Sequence, residues 1–202
     1  MTIGRITVFL CCSSLAACSG QIASTPTPAQ SVLGSPTPTV SPMAPPTPAS
    51  TTAPVSSLGP FTCTLPVNRP ASGSGLAQPT TARVGGQPDY DRIVFEYAGT
   101  ALPSLSVTAV SPPFVSDPSG RPLTVSGNAF LEIVFRELPG IGSGYTGPSR
   151  FKAGLPILTD LEPRGDFEGV QQWIVGLSGQ ACVRVFSLTS PTRLVIDLEK
   201  AP

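Results

Sequence analysis

Asp166 and Glu168 stand two residues apart between Gly165 and Gly169. In an extended chain alternate side chains share a face, so the two carboxyls would project together. Paired carboxylates can do acid and base work on a glycosidic bond, or hold a hard cation. The same spacing has a structural reading, favoured here by the glycines: a tight turn between them, Asp166 capping backbone amides and Phe167 anchoring the turn in the core. Two other strings match catalytic signatures. Ser149-Arg150-Phe151-Lys152 has the S-x-x-K spacing in which a lysine helps activate a serine, but the companion K-T-G and S-D-N strings are missing. Gly142-Ser143-Gly144-Tyr145-Thr146-Gly147 fits G-x-G-x-x-G, which works by opening a helix onto a pyrophosphate; Pro148 follows it and no parallel strand-helix-strand unit surrounds it, so it reads as a flexible loop. The chain has no histidine, which excludes Ser/His/Asp and Cys/His nucleophile pairs and His-ligated zinc. No cofactor, no metal and no catalytic residue is expected. Tyr90 and Tyr145 are the aromatic residues best suited to stack on a sugar ring, whereas the single tryptophan, Trp173, shares strand parity with Val175 and Leu177 and reads as core. Tyr90, Tyr145, Asp166 and Glu168 are therefore the binding candidates.

The elements that would position them lie in the second part of the chain. No charged residue falls between Arg5 and Arg69, and every acidic residue lies at or beyond Asp89. From Phe61 onward, short β-rich runs alternate with turn residues. Ile93, Phe95 and Tyr97 share one face while Arg92 and Glu96 take the other, and Leu131, Ile133 and Phe135 repeat the pattern against Glu132 and Arg136. Further runs span Leu105 to Val110, Leu123 to Val125, Gln171 to Leu177, Cys182 to Leu188 and Arg193 to Leu198, with prolines and glycines between. This pattern predicts an all-β domain over 61–202, an antiparallel β-sandwich of about seven to nine strands. The formal net charge is zero and there is no basic run, so nucleic acid is not expected as a partner.

The first 60 residues read as targeting and tether. Residues 1–17 carry Arg5, then the apolar run Ile6 to Cys12, too short to span a bilayer, then small residues, the order of an export signal. Leu15-Ala16-Ala17-Cys18 resembles a bacterial lipobox, in which the Cys18 sulfur receives a diacylglycerol and cleavage leaves Cys18 as the new N-terminus; the alternative is an ordinary signal peptide ending near Ala17. Two acyl chains make a stable anchor where one does not, so the mature protein is expected on the extracytoplasmic side of the cell membrane, attached through lipid. Residues 18–60 are a disordered Pro/Ser/Thr-rich tether. Between Ser19 and Pro60 there are ten prolines, fifteen Ser or Thr and no charge, so neither helix nor sheet can propagate. A spacer is the simplest use, with O-glycosylation or recognition as a proline-rich ligand as alternatives. With Cys18 lipidated and Cys11 and Cys12 removed with the signal, Cys63 and Cys182 form an even pair in an oxidising compartment and are expected to be disulfide-bonded, the alternative being buried free thiols.

Three segments taken together carry a resemblance: Tyr90-Asp91-Arg92-Ile93-Val94-Phe95-Glu96-Tyr97, Gly165-Asp166-Phe167-Glu168-Gly169-Val170 and Pro191-Thr192-Arg193-Leu194-Val195-Ile196-Asp197-Leu198. In this order they look like the hallmarks of the AMIN-like domain, common in actinobacterial lipoproteins and secreted proteins. The match spans roughly Pro88 to Lys200. The last segment also resembles the closing strand of true AMIN domains, β-sandwich modules that attach cell-wall amidases and secretion-pore proteins to peptidoglycan. The resemblance implies a non-catalytic envelope protein that binds peptidoglycan or another wall component. Two alternatives stand beside it: a wall-active hydrolase using Asp166 and Glu168, and an accessory subunit that binds another exported protein through a sheet edge, for which an exposed apolar patch would be the sign. The chain ends Asp197-Leu198-Glu199-Lys200 where the family often has a histidine, so no role resting on that residue carries over.

Overall fold

The computed structural model describes residues 58–140 and 143–202. The signal segment, Cys18 and nearly all of the tether lie outside the described residues, as do Ile141 and Gly142. Eleven strands follow one another: β1 Val67–Arg69, β2 Gln78–Gly86, β3 Asp91–Ala98, β4 Ser104–Val110, β5 Phe114–Val115, β6 Pro122–Leu123, β7 Ala129–Arg136, β8 Leu158–Phe167, β9 Val170–Leu177, β10 Ala181–Thr189 and β11 Thr192–Lys200. They form a five-stranded sheet in the order β1-β4-β7-β9-β8, a four-stranded sheet in the order β10-β11-β3-β2, and a two-stranded ribbon β5-β6. Every pairing is antiparallel. The architecture is the all-β sandwich that the alternating runs imply, with nine strands in its two main sheets.

Strand parity explains the packing. Ile93, Phe95 and Tyr97 of β3 and Leu194, Ile196 and Leu198 of β11 point inward from one sheet, and Leu131, Ile133, Phe135, Trp173, Val175 and Leu177 meet them from the other. At the centre the Phe95 ring lies edge-on to Phe135 at 4.7 Å and to Trp173 at 5.5 Å. Such pairs contribute roughly 0.5–1.5 kcal/mol each beyond area burial. The outer face of the larger sheet is also covered: Ile174 and Phe130 pack under the β5-β6 ribbon through Phe114, Val125 and Leu123. Among the described residues no two-stranded ribbon lies over the smaller sheet, yet Val195, Asp197 and Arg184 on its outer face are buried.

Four strands were not visible as runs: β1, β2, β5 and β8. In β2, Pro79 and the pair Gly85-Gly86 mimic loop signals, and the apolar residues Ala82 and Val84 that join the core are small. In β8, Pro163 and Gly165 fall at a register shift against β9, and a second shift lies between Leu158 and Asp160, so the inward residues lose their two-residue period.

Cys63 and Cys182 form a disulfide across 119 residues of sequence, fastening the entry of the domain to β10. Between them Thr62 exchanges two backbone hydrogen bonds with Val183, at 2.9 and 2.8 Å, on the outer edge of β10. The other sheet edges are interrupted as well. Phe151 pairs with Leu161 on the free side of β8, a bulge at Pro79/Thr81 breaks β2, and β1 is three residues long.

Candidate functional site

Asp166 and Glu168 have different structural roles. Asp166 accepts the Ser143 amide at 2.8 Å on one carboxylate oxygen and the Ser143 hydroxyl at 2.6 Å on the other. Ser143 is itself buried, its hydroxyl oxygen accepting from Gln171 Nε2 and the Tyr145 amide. Asp166 thus pins the loop that follows β7, capping a backbone amide. Glu168 and Gly169 are the two turn residues of the β8-β9 hairpin, with φ of 51° and 76°, the left-handed pair a two-residue primed turn requires. Two expectations need correction. Gly165 lies inside β8 rather than at the turn, and Phe167 is 47 % exposed at the hairpin tip rather than anchored in the core. The register shift between Pro163 and Gly165 is the reason, because it changes which face the following residues present. Both carboxylates border one shallow depression with Asp117, Arg136 and Gln172, in which Asp166 is already committed to Ser143.

Tyr145 is not a free stacking surface. Its ring packs edge-on against Trp173 at 5.6 Å and its hydroxyl donates to Pro148 O at 2.8 Å; burial pushes its pKa up. Trp173 has no exposed surface and belongs to the core, as its strand parity implies. The lysine of the S-x-x-K string is engaged elsewhere. Lys152 Nζ and Arg150 Nη2 each donate to Asp160 Oδ2 at 2.8 Å, and the Ser126 amide donates to the same oxygen at 2.9 Å. Burial works against ionising Asp160, but these hydrogen bonds outweigh it and hold its pKa below the ordinary value. Among the described residues no three His, Cys, Asp or Glu side chains gather as a metal-ligating group.

The remaining candidate, Tyr90, belongs to a constellation that crosses the outer face of the smaller sheet, where only Arg92 of the three charged members keeps appreciable exposure. Arg184 on β10, Asp197 on β11, Arg92 on β3 and Gly85 on β2 are direct cross-strand neighbours, one row perpendicular to the strands. Asp197 is completely buried. It accepts Arg92 Nε at 2.6 Å on one oxygen, and on the other Arg92 Nη2 at 3.0 Å, Arg184 Nε at 3.0 Å and Arg184 Nη2 at 2.6 Å. The side chains of Arg184 and Arg92 are 6 % and 25 % exposed. Hydrogen bonding to Asp197 is the main reason the Arg92 pKa is raised, so its guanidinium remains cationic. Aromatic rings flank the row. The Tyr90 ring centroid lies 5.2 Å from Arg92 Cζ and 5.1 Å from Arg184 Cζ, Phe186 lies 5.3 Å from Arg92, and Phe61 lies 4.3 Å from Arg184. These are cation–π distances. Two cations on one carboxylate leave the row with a net positive charge.

Sequence reasoning recognised Arg92 only as an outward residue and did not single out Arg184 or Asp197. A readable signal was present: each is a charge inside an apolar run, at outward parity. Asp91, next to Arg92, has a different task. Its buried carboxylate accepts the Ile157 and Leu158 amides at 2.7 Å each, tying β3 to the start of β8.

Two segments that carry the family resemblance, Tyr90 to Tyr97 and Pro191 to Leu198, are therefore the ones that supply Tyr90, Arg92 and Asp197 to this row. A family model described as the AMIN-like domain matches residues 77–200. The chain belongs to the AMIN-like family. No curated protein matches the chain, and no solved structure does. The AMIN-like match covers β2 through β11 and includes all four members of the row. The disulfide partner Cys63 and the ring of Phe61 lie before it. An AMIN-like domain points to cell-wall-related binding and is typically non-catalytic.

Proposed function

We propose that this chain is a lipid-anchored envelope protein, held on the extracytoplasmic side of the cell membrane through Cys18, whose AMIN-like domain binds peptidoglycan without acting on it chemically. The lipobox-like segment and the uncharged Pro/Ser/Thr-rich stretch support the anchor and the reach. The observation that carries the binding reading is the Arg184-Asp197-Arg92 row with Tyr90. It places preorganised cations and an aromatic ring on the outer face of the smaller sheet, where Arg92 is a quarter exposed. Wall polymers offer the matching chemistry: sugar rings to stack and anions to pair. The hydrolase alternative has no comparable support, because Asp166 is tied to Ser143 and Glu168 forms a turn. The sheet-edge alternative meets interrupted edges, and the exposed large apolar residues among those described are Leu76, Val115 and Phe167.

The test is co-sedimentation of the full-length chain, in mild detergent, with purified sacculi. Saturable pelleting that weakens at least tenfold in Arg92→Met is expected. Pelleting no greater than that of an unrelated protein refutes the reading. Cys18→Ser is expected to move the protein from the membrane to the soluble fraction, and continued detergent-dependent fractionation would contradict the anchor.

A further inference from the structure

Phe61 lies before the residues that match the AMIN-like family, yet it sits on the row. Its ring centroid is 4.3 Å from Arg184 Cζ, closer than Tyr90 is to either arginine, and 6.0 Å from the Tyr90 ring. Arg184 and Arg92 reach Asp197 from opposite sides of β11, but β10 is an edge strand and β3 is not. An outward side chain on an edge strand has a neighbouring strand on one side only, so Arg184 should be the more exposed of the two. The reverse holds, with 6 % for Arg184 and 25 % for Arg92. The ring of Phe61, held beside β10 by the pairing of Thr62 with Val183, is the cover.

Little holds that cover in place. Among the described residues, Leu58 to Thr62 make two backbone hydrogen bonds with the sheet, both between Thr62 and Val183. Pro60 has no N–H with which to continue the ladder along β10, and Gly59 turns the chain with φ of 77°. Beyond Thr62 the attachment is covalent, through Cys63 and Cys182. A pull on the chain before Leu58 therefore loads the Phe61 contact and the two Thr62 bonds first, and the disulfide stops the opening at Cys63. Short, solvent-bordered attachments of this kind open locally at a small fraction of the global unfolding free energy. Arg184 commits Nε and Nη2 to Asp197, and its Nη1 has no acceptor among the described residues.

We propose that Leu58 to Thr62 form a strap that masks Arg184, and that the row binds an anionic wall group more tightly when the strap lifts. The inference rests on the wall-binding reading and adds its regulation. With the strap down, Arg92 is the accessible cation of the row. With the strap up, Asp197 still orients both guanidiniums, and Arg184 Nη1 becomes a second donor to the same ligand. The strap lies outside the matched family residues, so this control belongs to the segment that joins the domain to the chain before it.

The experiment measures co-sedimentation of the full-length chain, in mild detergent, with purified sacculi. Phe61→Ala is expected to bind about fivefold more tightly than the unaltered chain, the effect of one added, partly exposed ion pair, and to lose affinity more steeply as ionic strength rises. Arg184→Met leaves Arg92 paired one to one with Asp197, so no buried charge is orphaned, and in that background Phe61→Ala is expected to bring no gain. Hydrogen exchange of the unaltered chain supplies an independent readout: the Thr62 and Val183 amides should exchange roughly a hundredfold faster than those of β11. Binding by Phe61→Ala that is unchanged or weaker overturns the strap while leaving wall binding intact. A gain that persists with Arg184→Met, or Thr62 and Val183 amides as protected as β11, also overturns it. Pelleting by Phe61→Ala alone supports the strap as a complete mask, and pelleting by neither chain overturns both readings.

Discussion

Replacing Asp197 by asparagine removes the negative charge that holds Arg92 and Arg184 together. The carboxylate is fully buried and accepts four donor contacts of 2.6 to 3.0 Å. Breaking a buried ion pair by deleting one partner costs roughly 3–5 kcal/mol, mostly because a charge is left uncompensated. Arg92 is a quarter exposed and can turn toward water, whereas Arg184 stays confined beneath Phe61. Asparagine also keeps one acceptor oxygen. The expected cost therefore falls at the lower end, about 3 kcal/mol. For a folded unit of this size, at roughly 3 °C per kcal/mol, the melting temperature should drop by about 10 °C. Trp173 is the only tryptophan and has no exposed surface, so its fluorescence reports unfolding in urea or heat without a label. A loss below about 1 kcal/mol, the range of exposed ion pairs, would refute the claim that the row is a preorganised buried cluster. A companion variant sharpens the test. Arg92→Met, Arg184→Met and Asp197→Leu together should recover most of the stability, since replacing a whole buried ionic group by apolar residues is often neutral.

Three further outcomes are expected. Cys63→Ser should destabilise the domain by roughly 4–5 kcal/mol in the chain-entropy model, given the 119-residue separation, and an unfolding midpoint unchanged by the substitution would count against it. Gly176→Ala should cost about 3 kcal/mol or more, because its Cβ would collide with the Ser126 carbonyl, while Gly179→Ala, with open space, should change stability by less than about 0.5 kcal/mol; equal effects would contradict the packing. Asp160 has a lowered folded pKa, so its contribution is fully present above the unfolded value of about 3.9 and is lost as pH falls through the lower folded value. Asp160→Asn should be less stable at neutral pH and show a shallower loss below about pH 4, and parallel acid profiles would sink that assignment.

By itself the sequence determined the class of fold, the strands that carry its core and the two cysteines available to fasten it. Those features are local or countable. The alternation in β3 and β7 follows from a two-residue period set by backbone geometry, and the burial of Trp173 follows from the same parity. The family resemblance was legible too, because the hallmark segments are contiguous. What tertiary structure alone decided is which residues meet. Arg92 and Asp197 are 105 residues apart and Arg184 lies on a third strand, so their row exists only once β10, β11 and β3 are in register. Conversely, Asp166 and Glu168 are neighbours in sequence and do not cooperate, because a bulge and a left-handed turn send them to different tasks. Spacing along the chain reports side-chain direction only while the strand stays regular, and the misplacements of Gly165 and Phe167 occur where β8 is not.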